Sequence, residues 1–362
     1  MNQIVYPDQY ALEQAFGEFW KSQHVDIFSK DMGVFITNAS QDDVAQFLSC
    51  LFYEYSQLEQ IRKSALQLHG ISALFGFRIR AENDLLDLAS IIDKYRGQQV
   101  DARERMTIKP LIKVADNNIQ PKYKGSIEYL QNKPGRVQFL QGSERSFDYQ
   151  IRQSSDEHEW EIIVDCSRSN DGRLMEDWIR RILPKGNHIH KIDQDELTTE
   201  QTIKFFDELG NEGAGTQWRF TQVKRLVLRR EEVAESDDEE EVVETDSTVL
   251  SGISQAILEG NELRDNLFVK QSESGGYRFS AMTYEYENIE HPYLRELRAE
   301  FKKRPKVFEV SLEKYSRRVG LEESTQTHIL SDEDRILMLS EFWNKARRVF
   351  NKLTSTNTKS DL

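Results

Sequence analysis

The chain has only two cysteines in 362 residues, Cys50 and Cys166. Two thiols so far apart exclude a disulfide framework and suit a reducing compartment. No apolar run approaches the roughly 18 residues that a membrane-spanning helix needs. The opening MNQIVYPDQYALEQAF lacks a basic stretch followed by an apolar one, so no secretory leader is expected. Common catalytic signatures are missing too. There is no G-x-x-x-x-G-K-[ST], no C-x-x-C and no G-x-S-x-G. GNEGAG at 210–215 is glycine-rich, but it falls between an expected helix and an expected strand, the reverse of a phosphate-cradling turn. These absences give the expectation of a cytoplasmic protein with no membrane contact and no cofactor.

A hydrophobic content of 38%, with 10% aromatic residues, is enough to fill packed cores, and the length suits two ordinary domains. The net charge of −14 is not spread evenly. EEVAESDDEEEVVETDS at 231–247 holds ten carboxylates and no base or aromatic residue, so most of the acidity sits in one strip. Like charges extend a chain and keep it solvated, which makes the strip a linker. Two further roles follow from its charge. It can dock a protein partner, or fold back over a basic surface and compete with phosphate for the same cations.

Periodicity then orders the elements. Apolar residues at spacings of three and four predict helices over 9–20, 41–69 and 83–95. Ser40 and Asp43 form the capping box of the second. Short runs rich in β-branched and aromatic residues follow: LIKVADN, GSIEYLQ, RVQFLQG, SFDYQIRQ and EWEIIVDC read as an antiparallel meander. Helices are expected at 173–183 and 198–209, the second ending at Gly210, and WRFTQVKRLVLRR as a long strand. Past the strip, VLSGISQAILEG reads as a helix. LFVKQSESGGYRFSAMTYEYE reads as a hairpin turning at Ser274-Gly275-Gly276, and KVFEVSLEKYS as a strand. The last helix covers 332–353, capped by Ser331 and Asp334, with Asp332 and Glu333 at its positive end. The expected class is α+β. Residues 1–230 form one α+β domain, helical over 1–100 and mainly sheet with helices over 101–230. The acidic linker spans 231–247. A small α+β domain at 248–354 packs its sheet on the final helix, and 355–362 is a frayed tail.

Several groups of residues are candidates for function. RAEFKKRPKVFEVSLEKYSRR carries Arg298, Lys302, Lys303, Arg304, Lys306, Lys314, Arg317 and Arg318 against three glutamates. Tyr284, Tyr286, Tyr293, Phe301 and Tyr315 lie nearby in sequence. Cations that neutralise phosphates, beside rings that stack on bases, are what contact with DNA or RNA requires. The same cations also serve as a solvated strand edge that discourages aggregation. His188 and His190 make an H-x-H half-site on an expected strand, with Asp193, Asp195, His158 and Glu159 as the nearest further ligands. Without a complete set, no metal is expected. Asp148, Glu161 and Asp165 place carboxylates on strands, but the Glu-x-Lys that a metal-dependent nuclease adds is missing.

RKSALQLH puts Arg62 and His69 seven residues apart, two turns along one helix face. The pair is similar to the Arg and His of HEPN-type ribonucleases, although the polar residue that follows the Arg there is replaced by Lys63. The resemblance covers these two residues alone. It implies metal-independent RNA cleavage in which His69 shuttles a proton and Arg62 steadies phosphate charge. The preferred expectation is a non-catalytic accessory factor of a larger assembly, touching nucleic acid through its basic C-terminal segment. The ribonuclease and the protein–protein adaptor are the alternatives.

Overall fold

The computed structural model describes residues 6–18, 25, 28–30, 32–34, 39–58, 61, 73–81, 86–101, 106–114, 121–130, 144–154, 158–166, 169–230, 255–260, 263–265, 269–270, 277–303, 306–318, 325–328 and 330–357. The class is α+β. Strands β1 (Ala73–Ala81), β2 (Gln99–Asp101), β3 (Met106–Ile108), β4 (Ile112–Val114), β5 (Lys122–Leu130), β6 (Glu144–Gln153) and β7 (Glu159–Cys166) come before the strip. So do β8 (Asn187–Lys191) and β9 (Trp218–Arg230). Strands β10 (Gln255–Glu259), β11 (Tyr277–Asn288), β12 (Tyr293–Lys302), β13 (Val307–Arg318) and β14 (Thr325–Thr327) come after it. All belong to one sheet in the order β10-β9-β11-β12-β13-β1-β7-β6-β5-β3-β2, with β14 beside β13, β4 beside β5 and β8 beside β1.

The strand pairing runs straight through the position expected for a domain boundary. β9 pairs antiparallel with β10 and β11, which follow the strip, and β13 pairs with β1 from the start of the chain. The expected packing of the C-terminal strands on the last helix is present, but those strands continue into the N-terminal ones.

The period of two along each strand assigns side chains to faces. Leu74 sits opposite Val310 and Phe75 opposite Glu309, so the two faces can be followed across the β1–β13 junction. On one face, β9 and β11–β13 bury Leu226, Phe279, Tyr284, Leu297 and Phe301 under helices α5 (Thr199–Ala214) and α6 (Asp332–Asn357). On the opposite face, β1 and β5–β7 bury Phe77, Ile127, Tyr149 and Ile162 beneath α3 (Leu88–Asp93) and α4 (Ser169–Ile182). Each half of the sheet is thus apolar on one side and polar on the other, and the sides alternate. A separate cluster of Phe16, Phe28, Leu48 and Tyr53 joins α1 (Gln9–Glu18) to α2 (Gln41–Ser49).

Local signals explain most boundaries. α2 starts at the Ser40–Asp43 capping box, and α5 at a Thr198–Gln201 box. α6 starts where Asp334 N donates to Ser331 Oγ at 3.1 Å. The helix expected over 41–69 instead stops at Ser49 with Cys50 as its cap; Leu51 to Glu54 are not helical, a new turn forms at Tyr55–Leu58, and 59–60 and 62–69 lie outside the described residues. The helix expected to end at Gly210 runs on to Ala214, packing Gly210 against the Tyr284 ring, and stops at Gly215 with φ of 68°. A positive φ is inexpensive only for glycine. Gln255–Glu259, expected as helix, is strand β10, whose side chains alternate along β9. β11 pairs with β12 through the turn at 289–292 rather than with a strand before Gly275.

Candidate functional site

The expected basic segment spans the end of β12 and the whole of β13. β12 alternates Leu297, Ala299 and Phe301 into the core with Glu296, Arg298, Glu300 and Lys302 on the opposite, polar face. On that face the cations meet carboxylates. Arg298 Nε lies 3.0 Å and Lys302 Nζ 2.9 Å from Glu300. Arg318 pairs with Glu287, and Arg219 reaches the same carboxylate at 2.6 Å. Lys306 pairs with Asp195 at 2.7 Å. Burial opposes ionisation of Glu300, but its bonds to Lys302 and Arg298 win and hold its carboxyl below the usual range. Lys303 and Lys314 are exposed. Lys314 faces Glu296 across the strands, where burial raises the Glu296 carboxyl despite that neighbour. Arg304 lies outside the described residues.

The rings divide in two. Tyr284, Tyr286 and Phe301 are core side chains beneath α5 and α6. Burial drives both tyrosine phenols well above their ordinary value. Tyr293 and Tyr315 are half-exposed and stack on each other, centroids 5.4 Å apart and planes 17° from parallel. His328 approaches both rings, at 5.8 and 5.9 Å, and His291 lies 6.5 Å from Tyr293. Trp218 completes the rim 6.3 Å from Tyr315. Arg317 stands opposite Tyr293 on the same face, exposed and with no ion pair to a described residue. Beneath the rim, Arg295 is stacked on Trp218 at 4.2 Å and donates to the carbonyl oxygens of Gly213 and Ala214. It thereby caps the carboxyl end of α5. Burial lowers its pKa to about 10.

The polar face of the other half-sheet carries a second arrangement. Cross-strand register builds three rows there: Lys122–Arg152–Glu161–Arg78–His190, then Lys124–Gln150–Ile163–Gly76, then Ser126–Asp148–Asp165–Leu74. α6 packs on β13 and β1 and reaches β7 across these rows through its side chains. Arg335 grips Asp165 with two bonds of 3.1 and 2.8 Å, and Arg347 donates to Glu161 at 2.8 Å. Trp343 sits over Gly76, where a Cβ would come within 2.7 Å of its ring. Glu161 is 1% exposed and also accepts from Arg78 and Arg152. Between α6 and β4–β6 an open trough remains, made of two adjoining cavities of about 340 and 320 Å³.

The other expected residues fall elsewhere. Arg62 and His69 lie outside the described residues, as does the strip at 231–247. His188 and His190 are both exposed on one face of β8, opposite Arg80 and Arg78. Among the described residues no group of three His, Cys, Asp or Glu is placed to hold a metal. No described helix is long and apolar enough to cross a membrane. Of the three strand carboxylates, Glu161 and Asp165 are taken up by arginines, while Asp148 makes no hydrogen bond to a described residue. Sequence reasoning missed Trp218 and His328, which reach the tyrosines only through strand pairing, and His291, which lies two residues before Tyr293 in the same turn. It also missed Lys122 and Lys124, although PKYKGSIEYL spaces them two apart, which puts both on one face of a strand. No protein-family model matches the chain, and no curated protein matches it.

Proposed function

We propose that the protein is a non-catalytic accessory factor that holds single-stranded nucleic acid against the rim formed by Tyr293, Tyr315, His328 and Trp218. The observation that carries the reading is the stacked, half-exposed Tyr293–Tyr315 pair beside Arg317, which makes no ion pair to a described residue. Every base has a π-face, so a ring platform binds strands with little sequence preference, and an adjacent guanidinium takes a phosphate. Burial and the Tyr293 neighbour raise the Tyr315 phenol, so its ring stays neutral at physiological pH. Of the eight cations expected from the sequence, Arg317 is the one best placed beside the rings. Arg298, Lys302, Lys306 and Arg318 are occupied by Glu300, Asp195 and Glu287.

Fluorescence anisotropy with a labelled single-stranded oligonucleotide and the full chain tests this. Binding should weaken steeply with salt, and Arg317→Ala should reduce the salt slope by about one. Tyr315→Ala should cost about 1–3 kcal/mol, the worth of one base stack. Absence of binding at low ionic strength, or binding indifferent to both substitutions in folded protein, overturns the proposal.

A further inference from the structure

We propose that the trough between α6 and β4–β6 is a mononucleotide site, separate from the tyrosine rim and independent of it. Its two cavities share Lys124, Gln150, Ile163 and Ile336, so they form one continuous channel. Each has the volume of an ordinary small-ligand pocket. The three rows of its floor are two residues apart, so the outer rows are separated by about 13 Å at about 3.3 Å per residue. That span suits an extended nucleoside monophosphate.

The chemistry changes along the floor. At one end stand Lys122 and Arg152, with Lys124 in the next row. Neither lysine makes an ion pair with a described residue, although Lys124 acts electrostatically on Asp148. Arg152 is bound to Glu161, but that carboxylate is also held by Arg347 and Arg78. Glu161 therefore does not use up the positive charge around it, and the side chain of Arg152 is 47% exposed. Glu333 also lines this end, but two ammonium groups and a guanidinium outnumber it and make a phosphate cradle. The middle is apolar: Ile163 in the floor, Ile336 on the helix side and Pro110 with Ile112 on the strand side. Ile112 is 68% exposed and Leu337 on the opposite bank is 61% exposed. A flat body lying between them would cover both.

At the far end are Ser126 and Asp148. The surrounding walls and the neighbouring Asp165 carboxylate raise the Asp148 pKa. Asp165 is neutralised by Arg335, which leaves Asp148 as the carboxylate available to an incoming donor. An exocyclic amine of a base supplies that donor. Phosphate, flat body and amine in this order describe a nucleotide such as AMP, free or as the terminal nucleotide of a strand.

Isothermal titration of the full chain with AMP, adenosine and inorganic phosphate separates the possibilities. AMP should bind at least tenfold more tightly than either half-ligand. Lys124→Ala and Arg152→Ala should each weaken AMP at least tenfold while the circular dichroism spectrum is kept, since Glu161 retains two arginines. Asp148→Asn should weaken AMP and leave inorganic phosphate unchanged. A 5′-phosphorylated oligonucleotide that competes with AMP points to a strand end. One that does not compete points to a free nucleotide. AMP no tighter than inorganic phosphate would mean a bare anion site and overturn the proposal, as would AMP binding indifferent to Lys124 and Arg152. A failed oligonucleotide assay at the tyrosine rim would not alter the AMP titration, so the two proposals fail separately.

Discussion

Glu161 is met by guanidinium groups from three elements, Arg78 on β1, Arg152 on β6 and Arg347 on α6. A carboxylate that is 1% exposed would be costly alone, and its removal would leave partly buried arginines unmatched. Glu161→Gln should destabilise the protein by about 3–5 kcal/mol, the cost of breaking a buried pair, read from the urea midpoint. Gly76→Ala should cost about 1–3 kcal/mol by the same measurement, because its methyl would enter the Trp343 ring. The sequence marks Glu161 as a strand carboxylate but not its use, since Arg78 and Arg347 are 83 and 186 residues away. The rim shows the same limit. Tyr293, Tyr315 and Arg317 are visible as a local run of rings and cations, but burial removes Tyr284, Tyr286 and Phe301 from that run.

At the level of elements, capping and alternation were legible and pairing was not. β6, β7, β9, β13 and α6 appear close to where their patterns place them, because each has a clean period and a stop or cap. β12 is not among the strands expected from the sequence, because its cations also fit a solvated strand edge. Yet Glu296, Arg298, Glu300 and Lys302 alternate with Leu297, Ala299 and Phe301, a strand signal with one charged face. That face gives a pH dependence. Glu300 lies below its ordinary value of 4.5 in the folded protein. A depressed carboxyl contributes stability that is complete above the unfolded-state pKa and is lost as pH falls through the folded-state value. Unfolding free energy of the native protein should therefore fall as pH drops below about 4.5. Glu300→Gln should flatten that fall. Equal slopes for the two proteins would contradict the account of this face.

For the molecule as a whole, the consequence of the strand order is that the acidic strip joins parts of one sheet. Composition alone could not show this. A run of ten carboxylates looks like a boundary, and nothing local records that β9 neighbours β10 and β11 or that β1 neighbours β13. A protease site inserted within 231–247 and cut in native protein should leave two fragments that co-elute in gel filtration, held by those pairings. Fragments that separate without denaturant would contradict the sheet order. It also follows that residues 247–362 are a poor choice for a binding assay on their own, because β11 and β13 would lose their β9 and β1 neighbours.

The functional account rests on where a strand lies. Photo-crosslinking a 5-bromouridine oligonucleotide to the full chain, followed by peptide mapping, reads that position directly. The account predicts adducts on the peptides that contain Tyr293, Tyr315 and His328. Adducts confined to other surfaces, or none in protein that remains folded, would contradict it.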